Sequence, residues 1–236
     1  MKIAYLVAKL AEARPFIEHY DMEEVENYFS PLPCRLYKKG DLYVVLNGVQ
    51  HERDLVGCEA ASVTTLATIE RLHPDLIINS GTCGAFKSDG AEIGKVYLGN
   101  SCMFHDRRVQ GDDAWGTQSL GNYPVWSGTD ALAQQLGLPQ AKVTTGSSLD
   151  MQPCDLEIIK ANGGQLKDME GAAIAFVCSL TDTPVMFVKS VTDLCDSGAE
   201  TFEEFTRNLA KASEALRQAN IKIIEQLISQ PNQTTK

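Results

Sequence analysis

Three carboxylates stand at positions where their side chains could do acid–base chemistry, and two of them flank one predicted helix and strand. Glu170 precedes a run of small apolar residues, Gly171–Leu180, that predicts a helix packed closely on a sheet. Pro184 opens a predicted strand at residues 185–191, and Asp193 follows it. Ligands of open α/β sheets bind at the carboxyl ends of strands, so we expect both carboxylates at such a crevice. A helix cap or dipole partner is the alternative role for Glu170.

A third carboxylate, Glu12, lies where a predicted strand meets a predicted helix. Residues 2–8 are apolar and rich in β-forming side chains, and residues 12–20 have a helical pattern. Glu12 therefore falls at a second position that faces the crevice. The elements that must position these side chains are further strands at Leu42–Leu46, 75–80, 95–104 and 142–145, and helices at 54–72, 154–161 and 200–228.

The order of these elements predicts the α/β class, with a mixed sheet sandwiched between helices. Turns that we expect to face one pocket follow the strands at Ala8, Ser80, Thr145 and Val191. In Gly81-Thr82-Cys83-Gly84, two glycines predict a sharp turn whose backbone N–H groups can approach a ligand. Residues 107–128 show little periodicity and are predicted to form a long surface excursion.

The composition predicts one soluble domain without nucleic-acid or membrane partners. A chain of 236 residues with 44% hydrophobic content can bury the core of one domain, which we place at residues 1–230 with a polar tail at 231–236. The net charge of −10 argues against binding to nucleic acid or anionic membranes, because both are negative. The first residues do not form a signal peptide, and no run approaches the ~18 apolar residues of a membrane span.

The cysteines predict a reducing compartment and no metal. They are odd in number, scattered and without CxxC spacing, at positions 34, 58, 83, 102, 154, 178 and 195. We therefore expect free thiols in a cytoplasmic protein.

The carboxylates favour cleavage of a glycosidic bond. No Ser-His-Asp order, HExxH, P-loop or GxGxxG accompanies them, which argues against nucleophilic, zinc and dinucleotide chemistry. The histidines are isolated, although His105 beside Asp106 could line a site. One acid that protonates a leaving group and one base that activates water are enough to cleave a glycosidic bond.

Four separated motifs resemble the purine nucleoside phosphorylase and nucleosidase superfamily. They are Asn79-Ser80-Gly81-Thr82-Cys83-Gly84, the turn from Thr145 to Met151, Lys167-Asp168-Met169-Glu170-Gly171-Ala172-Ala173 and Lys189-Ser190-Val191-Thr192-Asp193. The strings DMEGAA, FHDRR and TGSSLDM are most similar to the plant-type branch of the 5′-methylthioadenosine/S-adenosylhomocysteine nucleosidases. The resemblance covers nearly the whole chain. It implies a three-layer αβα sandwich with a central mixed β-sheet and an enzyme without a cofactor.

The resemblance also implies a role for each matching residue. Glu12 would activate water, Glu170 would accept hydrogen bonds from the ribose hydroxyls, and Asp193 would donate a proton to adenine N7. Further contacts are implied for Met169 on the ribose, Thr82, Cys83 and Gly84 near the ribose and water, the Leu149 and Asp150 backbone at the adenine edge, Phe202 as a lid, and Thr192 as support for Asp193.

The implied activity is hydrolysis of 5′-methylthioadenosine in methionine salvage, with S-adenosylhomocysteine as a second candidate substrate. The first turn lacks the Gly-Asp-Pro and arginines with which the phosphorylases hold phosphate, which favours hydrolysis. The alternatives are a hydrolase or phosphorylase of another purine nucleoside, such as futalosine, and a non-catalytic nucleoside binder. A pure binder would not need both a base and an acid. Ser147, where the family has aspartate, and Lys189, where many bacterial members have arginine, depart from the pattern.

The region at residues 103–126 is predicted to contribute to a homodimer. It carries four aromatic side chains in an irregular stretch, Phe104, Trp115, Tyr123 and Trp126. By the resemblance, two subunits pair and this region lies near the partner's site. The alternative is a loop that packs on its own subunit.

Overall fold

A nine-stranded mixed sheet forms the centre of the protein in the computed structural model, which describes residues 1–109 and 113–229. The strands are β1 (Ile3–Val7), β2 (Glu23–Val25), β3 (Arg35–Lys39), β4 (Leu42–Leu46), β5 (Val49–Gln50), β6 (Arg53–Asp54), β7 (Leu76–Ala85), β8 (Val96–Phe104), β9 (Gln140–Thr145), β10 (Leu166–Asp168) and β11 (Val185–Leu194). The helices are α1 (Leu10–His19), α2 (Cys58–Leu72), α3 (Asp113–Leu120), α4 (Thr129–Leu136), α5 (Pro153–Ala161), α6 (Gly171–Leu180) and α7 (Thr201–Ser229).

The strand order is β10-β9-β8-β11-β7-β1-β4-β3-β2, and β5 and β6 form a separate hairpin. Strands β4, β1, β7 and β11 are parallel neighbours, whereas β8 pairs with β11 in the antiparallel sense. The short strand β10 pairs with β9 and also, antiparallel, with the end of β7. One end of the sheet therefore curls back on itself.

Two hydrophobic cores lie on the two faces of this sheet. Alternate residues of β1 face opposite sides, with Ala4 and Leu6 in one core and Ile3, Tyr5 and Val7 in the other, because successive side chains of a strand point to opposite faces. Helices α2 and α6 cover the first face, and α1, α4 and α7 cover the second. This arrangement confirms the predicted three-layer αβα fold. None of the helices in the described residues is long and apolar enough to cross a bilayer.

Two predicted boundaries near the site are wrong. Residues 81–84 do not form a turn, because β7 continues to Ala85 and pairs there with β10 and β11. Asp193 does not follow its strand, because β11 continues to Leu194 with a bulge between Val191 and Asp193. Both extensions depend on pairing with strands that are distant in sequence.

Other elements were not predicted or differ at their ends. Helix α2 begins at Cys58 instead of residue 54, after Gly57, whose φ of 94° favours glycine. Strands β2, β3 and β10 were not predicted, because they are short or polar. Helices α3 and α4 were not predicted either, since they lie in or next to the predicted excursion at residues 107–128. The predicted tail at 231–236 lies outside the described residues.

The aromatic side chains of the 103–126 region have different environments. Phe104 is buried, and Tyr123 and Trp126 pack against the two cores. These three side chains therefore pack on their own subunit, as the alternative for this region predicted. Trp115, on α3, is 60% exposed.

Candidate active site

A cavity of about 250 Å³ lies between the ends of β1, β7 and β11 and the amino-terminal end of α7. Its walls include these predicted site residues: Glu12, Thr82, Cys83, Gly84, Leu149, Met169, Glu170, Thr192, Asp193 and Phe202. Asp150 does not line it, and its carboxylate accepts a hydrogen bond from Gln152 at the protein surface. Sequence elements around Ala8, Ser80 and Val191 thus meet at one cavity as expected, and the turn after Thr145 contributes Leu149.

Glu12 is held from two sides. It is buried in the first turn of α1, where its Oε2 accepts a hydrogen bond from the backbone N–H of Lys9 at 3.3 Å. Its Oε1 accepts hydrogen bonds from the N–H of Thr82 at 2.8 Å and from the Thr82 hydroxyl at 2.6 Å. An ionised carboxylate only accepts hydrogen bonds, so this set of donors suits a Glu12 that can receive a proton.

Asp193 has a different environment. It is buried, and burial raises the pKa of its carboxyl group although a hydrogen bond from Thr192 and the charge of Lys167 oppose the shift. The Thr192 hydroxyl lies 2.8 Å from Asp193 Oδ1 and 3.2 Å from the Cys83 carbonyl oxygen. A raised pKa increases the fraction of Asp193 that holds a proton near neutral pH, which suits a proton donor.

Glu170 is the third carboxylate of the cavity, and it immediately precedes α6. Its Oε1 accepts a hydrogen bond from the N–H of Gly57 at 2.8 Å. Burial, followed by the charge of Asp168, raises the pKa of Glu170 to about 7. The carboxyl group can therefore exchange hydrogen bonds with a ligand in either protonation state.

A buried ion pair that sequence reasoning missed lies beside these groups. Lys189 Nζ is 2.6 Å from Asp168 Oδ2, and both side chains are almost fully buried. Asp168 also accepts hydrogen bonds from the Thr145 hydroxyl at 2.5 Å and the Gly171 N–H at 2.9 Å. Although burial opposes it most strongly, the charge of Asp168 raises the pKa of Lys189. Lys189 therefore stays charged and, through Asp168, fixes the start of α6, directly after Glu170.

The turn after β9 is anchored by residues outside it. Lys167 Nζ donates hydrogen bonds to the carbonyl oxygens of Ser148 and Leu149 at 2.8 and 2.9 Å. The Ser147 N–H donates to Asp106 Oδ2 at 2.6 Å. Asp106 thus stabilises the backbone of this turn at Ser147, the residue where the sequence departs from the family pattern.

His105 does not line the cavity, contrary to one expectation. It is buried and packs against Gly146, and burial lowers the pKa of its imidazole. Among the described residues, no group of three or more His, Cys, Asp or Glu side chains is arranged to hold a metal ion.

The glycine at position 84 makes room for the Asp193 carboxylate. A Cβ at Gly84 would lie 2.6 Å from Asp193 Oδ2 and 2.7 Å from Cys195 Sγ. We expect Gly84→Ala to displace the carboxylate and to lower kcat/KM by about 10²-fold, because small misplacements of a reacting group are costly. Steady-state kinetics of the two proteins measure this.

The matched control for this substitution is Gly137→Ala. Gly137 is exposed directly after α4 and outside the cavity, and a Cβ there would meet no atom within 4 Å. Its φ of +65° makes alanine strained and lowers stability, but kcat/KM should stay within about twofold of the unmodified protein because no residue of the cavity is displaced. Activity of Gly84→Ala within threefold of the unmodified protein would contradict the tight fit.

The three-layer fold and its carboxylate-lined cavity define the class of this protein. Residues 2–225 match the family model of the phosphorylase superfamily, and the chain belongs to that superfamily. A 5′-methylthioadenosine nucleosidase of Arabidopsis thaliana is 40% identical over 232 residues, which cover 94% of this chain and 85% of the relative. A 5′-methylthioadenosine/S-adenosylhomocysteine nucleosidase of the same plant is 37% identical over 94% of this chain and 90% of its own length.

A solved structure agrees with these relatives. The apo form of Arabidopsis thaliana 5′-methylthioadenosine nucleosidase superposes with a TM-score of 0.91 and 39% identity, over 95% of each chain. The predicted resemblance to the nucleosidases is thereby confirmed. The chain is similar to enzymes that cleave N-glycosidic bonds, and the roles of its individual residues stay predictions.

Proposed function

We propose that this enzyme hydrolyses the N-glycosidic bond of 5′-methylthioadenosine, releasing adenine and 5-methylthioribose, and that it serves methionine salvage. The observation that carries the proposal is the contrast between two carboxyl groups in one cavity. Asp193 is buried with a raised pKa, whereas Glu12 accepts three hydrogen bonds. A glycosidase needs one carboxyl group that donates a proton and one that accepts a proton.

In the proposed reaction, Asp193 donates its proton to N7 of adenine. The bond between C1′ and N9 then breaks, and its electron pair leaves with the base, because the protonated purine is a better leaving group. Water held by Glu12 attacks C1′, and its proton passes to the Glu12 carboxylate. The Thr82 N–H and hydroxyl keep Glu12 in position for this transfer.

The remaining predicted contacts fit around this centre. Glu170 accepts hydrogen bonds from the ribose hydroxyls and Met169 packs on the ribose, since both residues line the cavity at the start of α6. Leu149 presents its backbone to the adenine edge, on a turn held by Lys167. Phe202, which is 58% exposed at the start of α7, covers the base as a lid.

A substrate panel tests the proposal. Purified protein is incubated separately with methylthioadenosine, adenosylhomocysteine, futalosine and inosine, each with and without phosphate, and the released base and sugar are measured. We expect adenine and free methylthioribose at a rate that phosphate does not change. A sugar phosphate product would show that the reaction is phosphorolysis and not hydrolysis. Release of hypoxanthine alone would show that the substrate is another purine nucleoside.

We also propose that the enzyme is a homodimer and that its 103–126 region lies near the partner's site. Helices α2 and α6 pack side by side and expose an apolar surface made of Val63, Leu66, Phe176 and Leu180. Trp115 and Val109 are exposed next to it and line one depression with Phe176. A clustered apolar surface of this kind supports self-association through a two-fold interface.

Leu180→Glu should break this dimer, because it places a charge on the proposed interface. Leu180 is 68% exposed in one subunit. Light scattering should give about twice 25.8 kDa for the unmodified protein and 25.8 kDa for the variant. Activity per subunit should also fall on dilution if the site is shared.

Ile228→Glu is the control for this experiment. Ile228 is also 68% exposed but lies on α7, which covers the opposite face of the sheet. It should leave the mass unchanged. A fully active monomer of the unmodified protein would overturn both the dimer and the shared site.

The seven cysteines support a cytoplasmic location as part of this proposal. All are unpaired, as thiols are in a reducing compartment.

A further inference from the structure

Lys9 is a cavity residue that the proposed reaction does not use. It immediately precedes α1, and its backbone N–H bonds to Glu12 Oε2, so its position is tied to that of the proposed base. Its side chain is half-buried and lines the cavity. The ammonium group lies over the ring of Phe205, 5.1 Å from the ring centroid. A cation therefore lies at the wall of the cavity.

The Lys9 ammonium differs from the two other ammonium groups of the cavity. Lys189 pairs with Asp168 at 2.6 Å, and Lys167 donates to two carbonyl oxygens. Within residues 1–109 and 113–229, no carboxylate oxygen lies within 4.0 Å of Lys9 Nζ, and its ammonium donates no hydrogen bond to a protein group. Its N–H donors are consequently available to a ligand.

The proposed function leaves the 5′ substituent as the part of the substrate without an assigned contact. Asp193 and Leu149 are assigned to the base, and Glu170 and Met169 to the ribose. The lining residues without an assigned role include Lys9, Phe205 under its ammonium, and Val56, whose neighbour Gly57 bonds to Glu170. Two apolar side chains and one ammonium group fit a substituent that is apolar near the ribose and negatively charged at its far end.

We propose that Lys9 is a specificity-determining residue that binds a carboxylate at the end of a 5′-alkylthio substituent. The substrate class is thus 5′-thioadenosines with a carboxylate on the thioether chain, of which adenosylhomocysteine is one example. With a neutral substituent the ammonium stays over Phe205, where a cation–π contact holds it. A carboxylate draws it into an ion pair. The inference rests on the proposed hydrolysis of 5′-thioadenosines.

The test compares two probes that differ in one charge. They are 5′-deoxy-5′-(2-carboxyethylthio)adenosine and the amide of the same shape, and adenine release gives kcat/KM for each. We expect the unmodified protein to prefer the acid over the amide by about tenfold, which is the scale of one partly exposed ion pair. Raising the salt concentration should reduce this preference, because exposed charges are screened.

Three variants separate Lys9 from general electrostatics. Lys9→Met should lower the acid-to-amide ratio about tenfold, and Lys9→Arg should restore most of it. Arg14→Met removes the same charge from an exposed position of α1 that does not line the cavity, and the ratio should stay within about twofold. An unchanged ratio in Lys9→Met, or an equal loss in Arg14→Met, would overturn the inference.

Failure of the proposed function would be seen separately. If neither probe releases adenine from any variant, the proposed hydrolysis fails. Calorimetric binding of the two probes in an Asp193→Asn background does not depend on turnover and still reports on Lys9. There the acid should bind about tenfold more tightly than the amide, and equal affinities would show that Lys9 does not recognise the carboxylate.

Discussion

Replacing Asp193 with asparagine should lower kcat/KM for methylthioadenosine by about 10³-fold. The amide keeps the size of the side chain but has no proton that it can transfer to adenine N7, and general acid catalysis typically contributes 10²–10⁴-fold. The Thr192 hydroxyl, 2.8 Å from Asp193 Oδ1, can donate to the amide oxygen, so the side chain should keep its place. Steady-state adenine release measures the loss.

A substrate with a better leaving group distinguishes acid catalysis from positioning. A p-nitrophenyl riboside needs little protonation of its leaving group, so Asp193→Asn should retain much more of its activity with that substrate. Equal losses with both substrates would mean that Asp193 only positions the substrate, and another group would have to be the acid.

Stability gives an independent control for the same variant. Because burial raises the folded-state pKa of Asp193 above its unfolded value, the folded protein binds this proton more tightly. The contribution of Asp193 to the free energy of unfolding is greatest below the pKa of its carboxyl group in the unfolded state, about 3.9. This contribution is lost as the pH rises through the pKa in the folded state. At neutral pH, Asp193→Asn should therefore unfold at the same temperature as the unmodified protein or higher. A lower melting temperature would mean that lost activity reflects damage to the fold.

Glu12→Gln should reduce kcat by at least about 10²-fold while substrate affinity changes by only a few-fold. Glutamine can still accept the two hydrogen bonds from Thr82 through its amide oxygen, but it cannot take a proton from water. Water activation matters only along the reaction path, so the loss should appear in kcat and not in binding. Turnover and calorimetric binding of methylthioadenosine measure the two quantities.

Glu18→Gln is the control for Glu12→Gln, because Glu18 is an exposed glutamate on the same helix outside the cavity. Its kcat should stay within about twofold of the unmodified protein. If Glu12→Gln keeps adenine release within threefold, Glu12 is not the base, whatever its position.

The sequence by itself determined the layers of this protein and the candidate carboxylates. The composition of Gly171–Leu180 predicted α6 with both ends correct, since a run of small apolar residues suits a buried helix whatever surrounds it. The strand before Glu12, β1, and the strand after α6, β11, also follow from local composition. Motif resemblance then indicated which carboxylates share a site, because several separated motifs in one order are specific.

Only the tertiary structure decided how those groups are held. Glu12 meets Thr82 across 70 residues, and Glu170 meets Gly57 across 113 residues, so no local pattern encodes either contact. Residues 81–84 have the glycines of a turn but form a strand, because pairing partners from distant segments outweigh local preference. The available cation of Lys9 is likewise visible only in the folded chain, since a lysine's local sequence does not show whether a carboxylate from elsewhere neutralises it.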